Sequence, residues 1–367
     1  MITIQDIINE MEAWAPTGIA WERDNVGLQI GEPEAELTGG LAALEVTPEV
    51  IREALQKNCN LIMTHHPLIF KPLYNVTPKT LPGRLALEIA RNNMALYSAH
   101  TNLDFTRDGV NFVLGRKLGL QDIDFLYQQS GSMKKVAVFV PPDHVEAVTN
   151  AMTKAGAGII GNYEACSFQT RGTGAFRPLD GAQPFSGEVG KLQHEDEVRV
   201  EMVTPAWRST AVISAMIEAH PYDEVAYDVY PNEAIDPMYG AGVIGALPEP
   251  MPVGDFITHT KNSINIPSIR WTRGRSDTVT RVAVCGGSGS DLMPVAIQKK
   301  ADAFVTADIK YHAFHEARNL IHLVDAGHYE TEIFIVDAIV KRLQKKYPET
   351  ATKLHSAHSV TNPIMYS

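Results

Sequence analysis

Short apolar runs alternate with amphipathic stretches along the first third of the chain. The runs LAALEV, LIMT and MALYSA, at residues 41–46, 61–64 and 94–99, are predicted to be buried strands. The stretches between them repeat apolar residues at helical spacing, and Thr47 with Pro48 forms a cap followed by proline at the first helical position. Strands that alternate with helices predict a parallel sheet with helices on its faces.

The last third repeats this pattern. RVAVC and AFVTAD, at 281–285 and 303–308, are predicted strands separated by a GGSGSD turn and a helix. After the helix HAFHEARN, the strand LIHLVDAGH ends at His328, and a long helix is predicted from about residue 330 to 347. Both thirds have a strand, a helix and a second strand, and polar residues follow the strands. We therefore interpret the two thirds as a degenerate internal duplication.

The middle third has a different order, β-α-β-β-α-β, which is the ferredoxin-like arrangement. Its second strand is predicted to end before a Gly- and Pro-rich loop that begins GTGAFRP at residue 172, and LPEPMP at 247–252 has the composition of a connector. We therefore predict duplicated α/β halves with helices on both sheet faces, at 1–130 and 246–367. An inserted ferredoxin-like α+β domain is predicted at 131–245.

Charge and composition narrow the classes of partner. The net charge of -11 argues against nucleic acid as a main partner, because phosphate binding needs clustered Lys and Arg. The first residues predict an amphipathic helix capped by Thr3 and Asp6 rather than a signal peptide, and no apolar run is long enough to span a membrane. Three distant cysteines, Cys59, Cys166 and Cys285, indicate neither a disulfide framework nor a zinc ribbon. A cytoplasmic protein is expected.

Metal-ligating side chains follow the predicted strands. Ligands bind beyond the carboxyl ends of strands in such sheets, so these side chains are expected at one edge. Imidazole and carboxylate are ligands for zinc, manganese, iron, cobalt or nickel. The candidate residues are His65, His66, His100, Asp104, His328 and Glu332.

The adjacent pair His65 and His66 predicts two ions rather than one. Neighbouring side chains in extended chain point in roughly opposite directions, so the two imidazoles would serve ions on either side of the backbone. Asp104 and Glu332 would supply bridging or terminal oxygens, and His328 a nitrogen. Two divalent ions ~3.5–4 Å apart form a clamp for hydrolysis with a shared hydroxide as nucleophile.

Each candidate also has an ordinary structural alternative. Asp104 could cap the following turn, Glu332 could favour the helix N-terminus by its charge, and His328 could be a hydrogen-bonded core histidine. His100 is a candidate for proton transfer or for fixing the turn. The tip at Asp308 and His312 is expected to line the pocket without contacting metal.

Two further motifs leave alternatives open. GGSGSD follows a strand and precedes a helix, so its amides could contact an anion, but it lacks the third glycine of a dinucleotide-binding motif and the lysine of a P-loop. A plain tight turn is the simpler interpretation. His312 and His315 lie three apart on a predicted helix, which suits either a metal site or surface histidines.

Five motifs together carry a resemblance to a known family: DNVGLQIG at 24–31, THHP at 64–67, SAHTNLD at 98–104, GGSGSD at 286–291 and DAGHYETE at 325–332. They resemble the Nif-three-like family, also called GTP cyclohydrolase I type 2 homologues. The resemblance implies a dinuclear metal centre. It assigns as ligands His65, His66, Asp104, His328 and Glu332.

The middle segment resembles the PII-like or CutA-like insertion of the longer members of that family, on GAGIIGNYEACSF, GTGAFRP and AHPYDEVAYDVYP. The resemblance implies ring-shaped homohexamers whose metal sites face an inner cavity, with a small-molecule substrate or effector as partner. It also implies a metal-dependent hydrolase of a small nucleotide-like substrate that opens the guanine ring of GTP. The alternative is a non-catalytic metal-handling or regulatory assembly whose insertion senses a small molecule.

Overall fold

The computed structural model describes residues 1–128 and 131–367. Their strands are β1 (Gly27–Ile30), β2 (Gly40–Ala43), β3 (Leu61–Thr64), β4 (Ala95–Ser98), β5 (Gln121–Tyr127), β6 (Met133–Val140), β7 (Ser167–Phe176), β8 (Gln193–Pro205), β9 (Tyr227–Asn232), β10 (Ala241–Pro252), β11 (Arg270–Thr272), β12 (Thr278–Val284), β13 (Ala303–Thr306), β14 (His322–Asp325) and β15 (Leu354–Ser356).

Helices connect most of these strands. The α-helices are α1 (Ile4–Trp14), α2 (Pro48–Gln56), α3 (Leu81–Arg91), α4 (Thr101–Phe105), α5 (Val110–Lys117), α6 (Val145–Lys154), α7 (Ser209–Ala219), α8 (Val253–Ile264), α9 (Met293–Gln298), α10 (Tyr311–Ala317), α11 (His328–Glu332) and α12 (Phe334–Lys346). Short 3₁₀ helices occur at Thr17–Ile19, Pro142–His144, Ala206–Arg208, Ser290–Leu292 and Pro348–Lys353. The predicted mixed α/β class is confirmed.

The chain divides into two compact units. The first unit comprises Met1–Tyr127 and Met238–Ser367, and the second unit comprises Gln128–Pro237. None of the helices formed by the described residues is long and apolar enough to cross a membrane.

The first sheet of the first unit has the strand order β1-β4-β3-β2-β15. Its strands are parallel except β1, which pairs antiparallel with β4. Side chains alternate between the faces along each strand. Leu61 and Met63 of β3 therefore pack with α1 and α12, whereas Ile62 packs with α2 and α3. Helices thus cover both faces.

The second sheet has the order β11-β14-β13-β12-β10-β5. Strands β12, β13 and β14 are parallel, and the flanking strands β10 and β11 are antiparallel to their neighbours. Val282 and Val284 of β12 pack with α5 and α8, and Ala283 packs with α9 and α10. This sheet is also covered on both faces.

Each sheet receives one helix and one strand from the part of the chain that follows the other sheet. After β4, the chain forms α5 and β5, which belong to the second sheet through Phe112 and the β5–β10 pairing. After β14, it forms α12 and β15, which belong to the first sheet through Ile335, Ile339 and the β15–β2 pairing. Neither sheet is complete without residues from the other end of the chain.

The second unit has the element order β6-α6-β7-β8-α7-β9 and an antiparallel sheet ordered β7-β8-β6-β9. Val136 and Val138 of β6 and Met202 of β8 pack with both helices on one face of the sheet. This is the β-α-β-β-α-β order described for ferredoxin-like units.

Three sequence-based boundaries are wrong. LPEPMP lies in strand β10, not in a connector. The strand tolerates Pro248 and Pro250 because the ladder to β12 is irregular between Ala246 and Met251. The GTGAF stretch continues strand β7 rather than starting a loop, since it pairs with the long strand β8 as far as Phe176. The long C-terminal helix is interrupted at Ile333, between α11 and α12.

Candidate metal centre

Three strand ends of the first unit deliver the candidate ligands. His65 and His66 follow β3 directly, and Asp104 lies on the one-turn helix α4 that follows β4. His328 and Glu332 begin and end α11, which follows β14 of the second sheet. Their spacing of four residues places both side chains on one side of this single helical turn. Side chains from the carboxyl ends of both sheets therefore meet at one place.

Glu332 lies between two groups of ligand atoms. Its Oε2 atom is 3.0 Å from Nε2 of His66 and 3.1 Å from Nε2 of His328. Its Oε1 atom is 3.7 Å from Nε2 of His65, which in turn lies 3.6 Å from Oδ1 of Asp104. Each group, His66–His328–Glu332 and His65–Asp104–Glu332, has its ligand atoms within 4.8 Å of one another and could hold a metal ion. The two groups share Glu332.

The far nitrogen of each imidazole is fixed by an oxygen acceptor. Nδ1 of His65 is 2.8 Å from the carbonyl oxygen of Ala99, and Nδ1 of His66 is 3.0 Å from Oε1 of Glu45. Nδ1 of His328 is 2.6 Å from Oδ2 of Asp308. Such partners orient a ligand imidazole and direct its Nε2 atom toward the metal. The three Nε2 atoms here point into the shared site.

Three buried ligand atoms lack a hydrogen bond. Nε2 of His65, Oδ1 of Asp104 and Oε2 of Glu332 have no hydrogen-bond partner among the described residues. His65 is fully buried. Leaving buried polar atoms unpaired is unfavourable, and native proteins pair them with protein, water or an ion. Divalent cations held by the two groups would satisfy these atoms, so the residues fit a metal.

The charges of the cluster shift several pKa values. Burial raises the pKa of Asp104 to about 6. Burial disfavours the charged form of Glu332, but the adjacent His65 charge and the nearby ring nitrogens of His328 and His66 hold the pKa of Glu332 well below its usual range.

Burial disfavours the charged imidazolium form and so lowers the pKa of His66 and of His328. Glu332 has the opposite effect on both, together with Glu45 beside His66 and Asp308 beside His328, and the resulting pKa values are about 10 and about 9. Without metal, His66 and His328 are therefore expected to be protonated at neutral pH.

His100 stands at the rim of this cluster. Its ring centroid lies 5.2 Å from that of His65 and 5.4 Å from that of His66, and the three histidines form a further close group. Nδ1 of His100 is 2.9 Å from the Asp24 carboxylate, which also accepts hydrogen bonds from Thr101. Burial opposes the charge of Asp24, but these hydrogen bonds hold its pKa well below the usual range.

The GGSGSD turn closes one side of the cluster. Three of its amides donate to side chains rather than facing an open anion site. The pairs are Gly286 with Asn111, Gly287 with Thr331 and Gly289 with Thr306. A Cβ atom built on Gly287 would lie 2.1 Å from Oε1 of Glu332, and the residue has φ +58°. The turn therefore requires glycine where it approaches the shared carboxylate.

Sequence reasoning missed Glu45 and Asp24, and it gave Asp308 no ligand contact. Glu45 is an acid within the apolar run LAALEV, which was a usable signal, and Asp24 belongs to the DNVGLQIG motif. Asp308 belongs to none of the close ligand groups among the described residues, but its carboxylate hydrogen-bonds to Nδ1 of His328. His312 and His315 are exposed on α10 against Tyr311, and neither belongs to a close ligand group in the part of the chain that the structure describes.

Comparison with known proteins identifies the family. The sequence profile described as Duf34/NIF3 (NGG1p interacting factor 3) matches residues 2–363. The chain belongs to the Duf34/NIF3 family. The resemblance carried by the five motifs is thereby confirmed.

Relatives in this family match over nearly the whole chain. The GTP cyclohydrolase 1 type 2 homolog of Bacillus subtilis is 38% identical, covering 99% of this chain and 98% of the relative. That of Halalkalibacterium halodurans is 37% identical with the same coverage. The crystal structure of a Bacillus cereus protein related to NIF3 has 39% identity and a TM-score of 0.80, covering 100% of this chain and 99% of the other. Staphylococcus aureus SA1388 has 29% identity and a TM-score of 0.76, with the same coverage.

Proposed function

We propose that this protein is a dinuclear-metal hydrolase that acts on a small nucleotide-like substrate. The observation that carries the proposal is the pair of ligand groups that share Glu332, with unpaired buried atoms on His65 and Asp104. When bound, two divalent cations would supply Lewis acidity and make water nucleophilic near neutral pH. The donor set suits zinc, manganese, iron, cobalt or nickel.

The chain's own residues would divide the work. His65 with Asp104 and His66 with His328 would each hold one cation, and Glu332 would hold both. Asp24 fixes Nδ1 of His100, and about a fifth of the His100 side chain is exposed. The other ring nitrogen, Nε2, would exchange a proton with bound substrate.

An aromatic surface beside the site supports a substrate with a planar ring. Phe70 is 49% exposed, and its ring centroid lies 6.3 Å from that of His100. Bases of nucleotides stack on exposed aromatic side chains. The curated relatives are named as homologues of a GTP cyclohydrolase, which supports hydrolytic opening of the guanine ring as the reaction to test first.

The test is a nucleotide screen of the metal-loaded protein. Wild-type protein loaded with zinc, manganese or iron should convert a nucleotide to a product of added water mass, detected by mass spectrometry. Glu332→Gln removes the shared negative charge and should abolish both metal binding and turnover. Absence of metal-dependent turnover with every nucleotide and metal, in protein shown to hold two cations, would contradict the hydrolase.

A second candidate is a metal-handling or regulatory assembly without turnover. The second unit favours it, because it is a separate compact unit with its own open surface pocket of about 670 Å³, lined by polar side chains such as Asn150, Gln169 and Arg171. Its strand order supports a PII-like sensor domain. Chelator competition separates the candidates: rapidly exchanging metal indicates delivery, whereas tightly held metal indicates catalysis.

The family resemblance also supports a ring-shaped homohexamer in the cytoplasm as the working assembly. Native mass spectrometry of the purified chain tests this directly. A mass of six chains is expected, and a stable monomer at micromolar concentration would contradict the ring.

A further inference from the structure

The segment after β15 forms hydrogen bonds with two acidic residues beside the candidate metal centre. It contains no helix or strand, yet its residues make specific side-chain hydrogen bonds. The hydroxyl of Thr361 donates to Oε2 of Glu45. The side-chain amide of the next residue, Asn362, donates to Oε1 of Glu330 over 2.9 Å. Two successive residues thus bind two different acids.

These two acids belong to opposite sides of the site. Glu45 follows β2 of the first sheet, and its other oxygen lies 3.0 Å from Nδ1 of His66. Glu330 lies on α11, which follows β14 of the second sheet and also carries His328 and Glu332. Thr361 therefore contacts the acid that orients His66, and Asn362 contacts the helix that carries the ligands of the second sheet.

We infer that Thr361 and Asn362 form a clamp that positions the metal ligands, so that the C-terminal segment is a working part of the centre. The inference rests on the proposed metal centre. The Glu45 side chain is 31% exposed, so without the Thr361 hydroxyl it would be free to leave His66. Glu330 is buried, with 7% of its surface exposed, so loss of the Asn362 amide would leave a buried carboxylate oxygen without that donor.

The clamp acts unequally on the two cation positions. Thr361 acts through Glu45 on His66, which belongs to the group with His328. In the other group, His65 is held by the backbone of Ala99 and does not depend on Glu45. Loss of the Thr361 hydroxyl should therefore weaken one cation position. Loss of the Asn362 amide should weaken both, because α11 carries the shared Glu332.

The experiment measures metal binding rather than activity. Metal-free wild type, Thr361→Val and Asn362→Ala are titrated with Zn²⁺ against a chromogenic chelator, and with Co²⁺ by visible absorption. Losing the direct partner of a ligand typically weakens metal affinity about 10- to 100-fold, and this is the upper limit here because Thr361 and Asn362 act through Glu45 and Glu330. Thr361→Val should show a loss within that limit at one of two positions with an altered Co²⁺ spectrum, and Asn362→Ala should show such a loss at both.

Matched controls separate a positioning role from general damage. Thr361→Ser keeps the hydroxyl and should bind both cations like wild type, as should Val360→Ala, because Val360 is 76% exposed. Thermal unfolding of each metal-free variant reports whether it folds. If Thr361→Val binds both cations with wild-type affinity and spectrum, the clamp is wrong and the metal centre stands. If wild type binds no cation, the proposed function itself fails.

Discussion

At the scale of single residues, the centre depends on groups that are not ligands. Gly287 brings the GGSGSD turn against Glu332, and Glu45 and Asp308 hold the far nitrogens of His66 and His328. These residues decide where the ligand atoms point. A ligand set described without them would leave the rotation of each imidazole unexplained.

Gly287→Ala is expected to damage the centre directly. The new Cβ would lie 2.1 Å from Oε1 of Glu332, and φ +58° is unfavourable for alanine. We expect loss of at least one bound cation together with a fall of about 1–3 kcal/mol in the free energy of unfolding. Metal stoichiometry and denaturant titration measure the two effects.

Gly119→Ala is the matched control for this substitution. Gly119 also has positive φ, +75°, but a Cβ there would meet nothing within 4 Å. This variant should therefore lose about 1–2 kcal/mol through the backbone alone and keep both cations. Equal metal binding by the two variants would show that Gly287 does not shape the Glu332 position.

Metal affinity should rise with pH across the neutral range. The pKa values of His66 and His328 are about 10 and about 9 without metal, so both imidazoles carry a proton at pH 7 that a cation must displace. The apparent affinity should increase from pH 6 to about 10, the higher of the two pKa values, and then level off. Binding at pH 7 in weak buffer should release protons, recorded with an indicator dye. Affinity independent of pH from 6 to 9 would contradict this arrangement.

At the scale of elements, the clearest feature is how the segment after β15 is anchored to α2. Glu53 accepts hydrogen bonds from the amides of His358 and Ser359, at 2.8 Å and 2.9 Å, and from the Ser359 hydroxyl at 2.7 Å. Burial raises the pKa of Glu53, but the hydrogen bonds lower it by a larger amount. The net result is a pKa of about 2. The carboxylate form is therefore the one that holds the segment.

Glu53→Gln should loosen this segment without unfolding the protein. Replacing the charged acceptor should lower the free energy of unfolding at pH 7 by about 1–3 kcal/mol and speed hydrogen exchange at residues 357–361. In wild type this stabilisation is fully present above pH ~4.5 and is lost as the pH falls toward 2, because the folded pKa lies below the unfolded one. Glu49→Gln on the same helix is the control, since Glu49 is exposed beside Arg52 and contributes little. A larger loss in the control would contradict the anchoring role.

Local signals in the sequence predicted much of the element pattern. The capping box of Thr3 with Asp6 and the Thr47 cap before Pro48 are present as predicted, because a cap depends only on residues within one turn. The exchange of α5–β5 and α12–β15 between sheets could not be predicted in this way. Hydrophobic periodicity shows that a helix face is buried but not which sheet covers it.

The metal centre also has a part that local sequence signals predict and a part that they do not. His65, His66, Asp104, His328 and Glu332 could be proposed because each lies just after a strand or at a starting helix, and parallel strands place such ends together. Their supporting contacts join distant positions, such as His66 with Glu45 and Asn362 with Glu330. No spacing rule connects these residues, so only the fold reveals them.

At the scale of the whole molecule, the second unit begins and ends at a hairpin of the first unit. Tyr127 at the end of β5 pairs with Ala241 at the start of β10, and Gln128–Pro237 lies between them. The two strands would remain neighbours if the second unit were absent. All candidate ligands and their supports lie in the first unit.

Replacing Gln128–Pro237 by Asn-Gly should therefore leave a folded metal-binding protein. The remaining connection would be about five residues, a common hairpin length. We expect cooperative unfolding and two cations bound with wild-type affinity, measured by calorimetry. A variant that folds but binds no cation would show that the second unit is needed for the centre.

The crossing of the last helix and strand between sheets also sets an order on protein synthesis. Leu354 of β15 pairs with Gly40 of β2. The first sheet therefore starts to be synthesised early, but its edge strand β15 is synthesised late. Until the ribosome has added residues 354–356, the edge of β2 that pairs with β15 stays open as a template for unwanted pairing. A ribosome that stalls before α12 would leave a nascent chain with both an exposed strand edge on β2 and an apolar sheet face that α12 normally covers. Such truncated chains should be substrates for chaperones and proteases.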